Sequence, residues 1–311
     1  TFIFNKGNKI TEMKLFDMHV MTMEGEPEPE VSDMDVTEIP FRMAGNLILV
    51  DVILEGRKCT FIIDSGSPQT ILNSKYVNNH PDAKKKFSVG DSQGVSGNIS
   101  GVNVNKVGNL DFYGTRLIDQ NILTMYLGHL EEEINDTIYG LIGYDLLHNF
   151  DIVLDYNKSK LVLVNPGHFK AYEKKELDGY RKSETKLKMQ AHIPVVECRV
   201  ENYMISLGID TGAEQNLFDD EWYLKLKSVL KNPEKTSLLG ADNKPVEVES
   251  GQIASLVIGD EQFQQQETTF SDISHLNEGY KIHIDGLIGY EVLSRNITVL
   301  SYKQKKMFFY L

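Results

Sequence analysis

Cysteine, basic charge and long apolar runs are all scarce in this chain of 311 residues, and each scarcity narrows the class of protein. Cys59 and Cys198 allow at most one disulfide. Both lie in apolar runs, where a free cysteine is common, and the sequence does not decide whether they pair. No apolar run approaches the ~20 residues that cross a bilayer, which predicts no membrane span. The chain has 32 Lys and Arg against 45 Asp and Glu, and the net charge of -13 disfavours nucleic acid as a partner.

Motifs for metal, nucleophile and phosphate chemistry are missing as well. The eight histidines form no His-x-x-x-His or His-Glu-x-x-His spacing, so the sequence predicts no metal site. No Gly-x-Ser-x-Gly elbow supports a serine nucleophile, and the Gly-x-x-Gly runs lack the spacing of phosphate-binding loops. We therefore predict a protein that works without a metal or another cofactor.

An internal repeat is the most informative feature that is present. Residues 60–72, TFIIDSGSPQTIL, match residues 206–218, SLGIDTGAEQNLF, and place Asp64 and Asp210 146 positions apart. The same offset relates two further pairs of segments, namely residues 139–147 with 285–293 and residues 152–156 with 298–302. Separate motifs that share one offset indicate a duplicated chain.

Each half of the duplication has the pattern of β structure. Residues 47–54 and 193–200 are apolar and rich in β-branched residues, and each precedes a second apolar run that ends at the Asp. Gly-rich polar stretches at residues 88–101 and 239–251 suit hairpins. Smaller predicted elements are a short helix after each Leu-Ile-Gly motif, closing hairpins near residues 157 and 303, and a helical turn over residues 225–230.

This organisation divides the chain into four parts. They are an N-terminal arm (residues 1–40), a first lobe (41–165), a charged linker without periodicity (166–188) and a second lobe (189–311). The arm contains an acidic, Pro-rich stretch at residues 24–30 that indicates a mobile loop. Its apolar pieces could add edge strands to one lobe, or the arm could be a propeptide remnant, and both alternatives stay open.

The repeated tripeptides, Asp-Ser-Gly and Asp-Thr-Gly, suit one kind of chemistry. Each places a carboxylate on a tight turn at the end of an apolar strand. The hydroxyls of Ser65 and Thr211 can bond to backbone across the junction, while Gly66 and Gly212 allow close approach. Two adjacent carboxyls cannot both ionise, so the pair would hold one proton and activate a water by general acid–base catalysis. One such tripeptide is a weak signal, but two at matching repeat positions make Asp64 and Asp210 the candidate catalytic residues.

Over residues 41–165 and 189–311 the chain resembles the pepsin-like and retroviral-type aspartic peptidases, and most of all the bacterial aspartyl protease families related to both. The matching pattern is an apolar strand, Asp-[Ser/Thr]-Gly-[Ser/Thr/Ala], and a later hydrophobic-hydrophobic-Gly that ends at Gly143 or Gly289. The resemblance implies an all-β, bilobal fold with short helices, in which two β-barrel-like lobes are related by a pseudo-twofold axis. It also implies that Gly143 and Gly289 shape the site beside the catalytic turns.

Two departures from the family pattern stand out. Ser67 follows the first tripeptide, and its hydroxyl can donate to Asp64, whereas Ala213 cannot do so for Asp210. Because a lost donor raises the pKa of a carboxyl, we predict that Asp210 carries the shared proton more often and that the pH optimum lies above that of a two-hydroxyl enzyme. The flap region also has no Tyr, so the candidate flap glycines are those of a Gly-rich, retroviral type of flap: Gly90, Gly94 and Gly240.

These features predict an aspartic endopeptidase that is a monomer and cuts an extended peptide or protein substrate held between its lobes. The alternative is a non-catalytic peptide-binding module on the same fold, because a fold does not guarantee activity. The chain begins with Thr1, so a leader could have been removed, which would suit a periplasmic or secreted protein. Substrate preference and cellular compartment are left open by the sequence.

Overall fold

The computed structural model describes residues 2–4, 10–13, 28–77, 87–94, 97–239 and 245–311, and the fold is mainly β with short helices and barrel-like sheets. In chain order the strands are β1 (Phe2–Phe4), β2 (Ile10–Met13), β3 (Val36–Pro40), β4 (Arg42–Ala44), β5 (Leu47–Leu54), β6 (Arg57–Ile63), β7 (Ile71–Asn73), β8 (Phe87–Gly94), β9 (Gly97–Phe112), β10 (Thr115–Met125), β11 (Gly140–Ile142), β12 (Asp151–Asp155), β13 (Lys160–Val164), β14 (Lys182–Lys186), β15 (Lys188–Gln190), β16 (Ile193–Val200), β17 (Tyr203–Ile209), β18 (Asn216–Phe218), β19 (Lys231–Leu239), β20 (Pro245–Ile258), β21 (Glu261–Phe270), β22 (Gly286–Ile288), β23 (Ile297–Ser301) and β24 (Lys306–Tyr310). The helices are α1 (Ser74–Val77), α2 (Gly128–Ile134), α3 (Tyr144–Leu147), α4 (Phe169–Glu176), α5 (Asp220–Leu226), α6 (Ser274–Tyr280) and α7 (Tyr290–Leu293).

Each half of the chain builds one eight-stranded sheet, and the two sheets have equivalent strand orders. The first runs β4-β5-β6-β11-β7-β10-β9-β8, and the second runs β15-β16-β17-β22-β18-β21-β20-β19. In both sheets the second strand also pairs with the seventh, as β5 with β9 and β16 with β20, so that each sheet curls back on itself. The duplication inferred from the 146-residue offset is therefore a duplication of topology.

The strands before the repeated Asp residues form because their side chains fill the interior of these sheets. In β6, Cys59, Phe61 and Ile63 are buried, and in β17 Ile205, Leu207 and Ile209 are the equivalents. These alternate residues lie on one face of each strand, and the opposite face is also buried near the Asp, as at Ile62. All six belong to one hydrophobic cluster that includes residues of both halves, so burial of apolar surface stabilises the halves together.

A six-stranded sheet joins the two halves, in the order β14-β24-β23-β12-β13-β3. At its centre the equivalent strands β12 and β23 pair antiparallel, with Val153 opposite Val299. Strand β3 belongs to the predicted arm and pairs with β13, while β14 belongs to the predicted linker and pairs with β24. The linker is thus not structureless: Phe169 and Tyr172 of α4 are buried, and the Phe169 ring stacks on Phe308.

Most predicted elements are present, with some shifts. Strands β5 and β16 have the predicted bounds, and α3 and α7 follow the two Leu-Ile-Gly motifs. Helix α5 begins five residues before the predicted helical turn, because the Asp219 side chain caps it by accepting the Glu221 N–H at 3.1 Å. Cys59 and Cys198 are both buried, free thiols.

The described N-terminal strands, β1 and β2, belong to neither eight-stranded sheet. Strands β1 and β2 pair with each other in a separate two-stranded sheet. Residues 14–27 lie outside the described residues, and so does most of the predicted acidic loop. Glu30, at the end of that loop, pairs through its backbone with Arg116. Within the described parts of the chain, no helix has the length and apolar character needed to traverse a bilayer.

Candidate active site

The two repeated Asp residues occupy equivalent places at strand ends. Strand β6 ends at Ile63 and β17 ends at Ile209, immediately before the Asp in each case. The Leu-Ile-Gly strands β11 and β22 pair parallel with them. The Asp64 N–H donates to the Ile142 carbonyl and the Asp210 N–H to the Ile288 carbonyl, both at 3.0 Å. Each Asp backbone is therefore held by a neighbouring buried strand.

Four hydrogen bonds lock the two Asp turns to each other. The Ser65 N–H donates to Thr211 Oγ1 at 2.9 Å, and the Thr211 N–H donates to Ser65 Oγ at 3.0 Å. The same hydroxyls donate onward to the strand ends, Thr211 to the Ile63 carbonyl at 2.9 Å and Ser65 to the Ile209 carbonyl at 3.3 Å. Both hydroxyl side chains are buried, so these bonds are shielded from water and fix the relative position of the turns.

The carboxyl groups of Asp64 and Asp210 are hydrogen-bonded to each other. Each also lies against the glycine of the opposite turn. A Cβ added at Gly66 would lie 2.5 Å from Asp210 Cγ, and one added at Gly212 would lie 2.7 Å from Asp64 Cγ. No side chain fits at either position, so the glycines are needed for the approach of the two turns.

Backbone N–H groups of each turn donate hydrogen bonds to the Oδ1 atoms of the two carboxyls. Asp64 Oδ1 accepts the Gly66 N–H at 3.0 Å and the Ser67 N–H at 2.9 Å, while Asp210 Oδ1 accepts the Gly212 N–H at 2.8 Å. The predicted bond from the Ser67 hydroxyl to Asp64 is wrong, because Ser67 Oγ donates instead to the Gln69 carbonyl at 2.8 Å. Ser67 therefore assists Asp64 through its main chain.

Burial raises the pKa of both carboxyls, and the increase is larger for Asp64 because the negative charge of Asp210 adds to the desolvation. The two carboxyls are coupled to each other, so they titrate as a pair. The prediction that Asp210 carries the proton more often loses its premise, since the Ser67 hydroxyl donates to the Gln69 carbonyl. Both residues are only half-buried, so water can reach the pair.

The glycines of the two Leu-Ile-Gly motifs pack under the turns. A Cβ at Gly143 would lie 2.4 Å from the Gln69 carbonyl, and one at Gly289 would lie 2.0 Å from the Ala213 carbonyl oxygen. Ala213 itself donates its N–H to the Asp210 carbonyl at 3.3 Å. Both glycines therefore allow a neighbouring backbone to approach closely.

The candidate flap residues are only partly described. Gly90 and Gly94 lie in β8, which pairs antiparallel with β9 as a hairpin. Gly240, in the equivalent stretch between β19 and β20, lies outside the described residues. The two hairpins themselves agree with the predicted ones.

Four further residues around the turns were missed by the sequence analysis. His192 Nε2 lies 2.7 Å from the Gly66 carbonyl oxygen, and Asn46 Nδ2 donates to the Glu214 carbonyl at 3.0 Å. Asp145 accepts both the N–H and the hydroxyl of Thr70, at 2.8 and 2.9 Å. Tyr302 is buried, and its pKa is raised by burial, by Tyr144 and by the charge of Asp210.

One signal in the sequence could have found two of these residues. Asn46 and His192 are 146 positions apart, each 18 residues before its Asp, and their contacts cross between the halves. Tyr302 is likewise the repeat equivalent of Tyr156, and it belongs to the same half as Asp210. The repeat thus identifies equivalent positions, including those whose residue types differ.

No protein-family model matches the chain, and no curated protein sequence matches it.

Proposed function

We propose that this chain is an aspartic endopeptidase with the bilobal, pepsin-like fold, in which Asp64 and Asp210 activate a water that hydrolyses a peptide bond. The observation that carries the proposal is the pair of half-buried, hydrogen-bonded carboxyls, one from each half, on turns locked by reciprocal hydroxyl bonds. A turn with a purely structural role has no reason to hold two carboxyls that repel each other when ionised.

The shared proton lets the two carboxyls divide the work. The ionised carboxyl accepts a proton from the attacking water, while the protonated carboxyl donates its proton to the carbonyl oxygen of the scissile bond. The tetrahedral intermediate then collapses: the leaving amine takes the proton that came from water, and the other carboxylate takes back a proton from a hydroxyl of the intermediate, which restores the dyad. No covalent enzyme intermediate forms, and the two apparent pKa values belong to the pair.

The substrate in this proposal is an extended peptide that lies across the dyad beneath the hairpin of β8 and β9. Such a segment would add to the β structure through main-chain bonds, with side-chain preference set by the cleft walls. The net charge of -13 favours neutral or basic peptides through long-range attraction.

The test is a digest of a diverse peptide library from pH 3 to pH 8 with the wild type and Asp64→Asn. Asparagine preserves the shape of the side chain and removes its titration. We expect cleavage by the wild type that is lost in the variant and blocked by a pepstatin-like inhibitor. Binding of peptides by both proteins without cleavage by either would replace the enzyme with the peptide-binding module.

A further inference from the structure

His192 connects the second half of the molecule to the catalytic turn of the first. It lies between β15 and β16 with no exposed surface, and its Nε2 is 2.7 Å from the Gly66 carbonyl oxygen. A carbonyl oxygen only accepts hydrogen bonds, so Nε2 carries the hydrogen and His192 is the donor. The Gly66 carbonyl therefore fixes the Nε2–H tautomer of neutral His192.

The contacted carbonyl belongs to the peptide unit that serves Asp64. The C=O of Gly66 and the N–H of Ser67 are the two ends of one planar peptide group. That N–H donates to Asp64 Oδ1 at 2.9 Å. A chain of two hydrogen bonds therefore runs from His192 through this peptide to the carboxyl, and bonds in such chains polarise one another.

The equivalent contact in the other half lacks this link. Asn46 donates from Nδ2 to the Glu214 carbonyl at 3.0 Å, and its N–H donates to Glu214 Oε1 at 2.8 Å. Asp210 accepts its turn hydrogen bond from the Gly212 N–H, which is not part of the Glu214 peptide. Asn46 therefore braces the second turn without contacting the donor to its carboxyl.

We propose that His192 is a positioning residue for the dyad, which aims the Ser67 N–H at Asp64 and so stabilises the ionised form of that carboxyl. The effect of His192 on catalysis rests on the proposed function. The effect of His192 on the ionisation of Asp64 and Asp210 does not depend on that function.

The titratable groups near this chain of bonds are His192 itself, Asp210, Tyr302 and Tyr144. Burial lowers the pKa of His192 to about 4, so the imidazole is neutral above that pH and acts as a fixed donor. Asp210 is coupled to Asp64, and the charge of Asp210 also acts on Tyr302. The Tyr144 ring packs edge-on against His192 at 6.2 Å, and burial raises its pKa, as it does for Tyr302. Both phenols therefore stay neutral across the working range of the dyad.

Three variants separate this role from simple packing. His192→Phe keeps a ring and removes the donor, His192→Gln restores an N–H donor of similar reach, and Asn46→Ala removes the equivalent brace. For His192→Phe we expect the kcat/KM–pH profile to move up by roughly half to one pH unit, because the ionised form of Asp64 loses a stabilising donor. The kcat should fall about tenfold with KM changed by less than about threefold. We expect His192→Gln to recover most of both effects and Asn46→Ala to leave the position of the profile unchanged.

The ionisation of the dyad is measured independently by 13C NMR titration of the Asp carboxyl carbons, with Asp64→Asn for assignment. The apparent pKa values should rise in His192→Phe even if no peptide is ever cleaved, so failure of the proposed function is distinct from failure of this inference. A folded His192→Phe with unmoved pKa values overturns the positioning role. If that variant does not fold, 15N NMR of wild-type His192 decides, because a hydrogen on Nδ1 with Nε2 bare is incompatible with donation to Gly66.

Discussion

Gly212 shows how much of the site depends on a single missing side chain. Its absent Cβ would lie 2.7 Å from Asp64 Cγ, well inside contact distance. We expect Gly212→Ala to displace Asp64 and lower kcat/KM by more than about a hundredfold, since an error of about 1 Å in a catalytic group is costly. Gly167→Ala is the matched control, because Gly167 is exposed and has no atom within 4 Å of the added Cβ. Full activity in Gly212→Ala, measured with a peptide identified in the library digest, would contradict the geometry of the turn.

Near neutral pH, an ionisable Asp64 should stabilise the folded protein less than a neutral asparagine at the same position. The folded pKa of this carboxyl is raised, mainly by burial, so the folded state binds its proton more tightly than the unfolded chain. This contribution to stability is present at low pH and is lost as the pH rises above the unfolded value. We therefore expect Asp64→Asn to raise the stability at pH 7 by about 1 kcal/mol, with a smaller gain at pH 4. The measurement is thermal unfolding of both proteins at the two pH values, and a lower Tm for Asp64→Asn at pH 7 would refute it.

At the scale of elements, the junction of the two turns depends on two hydroxyls. Thr211 Oγ1 accepts from the Ser65 N–H and donates to the Ile63 carbonyl, and all three groups are buried. Thr211→Val has the same shape but leaves that N–H and that carbonyl without their partner, which costs roughly 1–3 kcal/mol for each buried group. We expect a lower unfolding midpoint in urea and a large loss of activity. Thr211→Ser keeps the hydroxyl and should retain both properties, so equal losses in the two variants would show that the methyl group matters instead.

Some elements could be predicted from the sequence and others could not, for identifiable reasons. Strands β5 and β16 have strong apolar, β-branched patterns, and their bounds agree with the prediction. Strand β14 has the sequence KSETK, which carries no such pattern, because it gains its hydrogen bonds from β24 and buries little more than Ser183. The predicted linker therefore hides a strand whose stability comes from its partner.

For the whole molecule, buried ionisable groups determine how stability varies with pH. Burial raises the pKa of Asp145 to about 6 and also raises the pKa of Asp151, as it does for the dyad. Between about pH 4 and pH 6 the folded state therefore binds more protons than the unfolded chain, and stability falls as pH rises. His192 acts in the opposite sense, because burial lowers its folded pKa to about 4.

Thermal unfolding across pH should reveal this balance. We expect the Tm to increase as the pH is lowered from 7.5 to about 5, helped by the smaller net negative charge. Below about pH 4 it should decrease, because ion-paired carboxyls with lowered pKa values, such as Glu131 and Asp136, become protonated. A Tm that is highest at pH 7 or above would show that the buried carboxyls are more hydrated than the structure indicates.

The sequence by itself determined the duplication, the mainly β character and the location of both Asp turns. Apolar alternation and a constant 146-residue offset can both be read from the order of residues along the chain. Only the tertiary structure decided which groups surround the carboxyls. The Ser67 hydroxyl bonds to Gln69 and not to Asp64, and His192 of one half supports the peptide beside Asp64 of the other. These contacts depend on how two separately patterned halves meet, and no periodicity within either half encodes the distances across their junction.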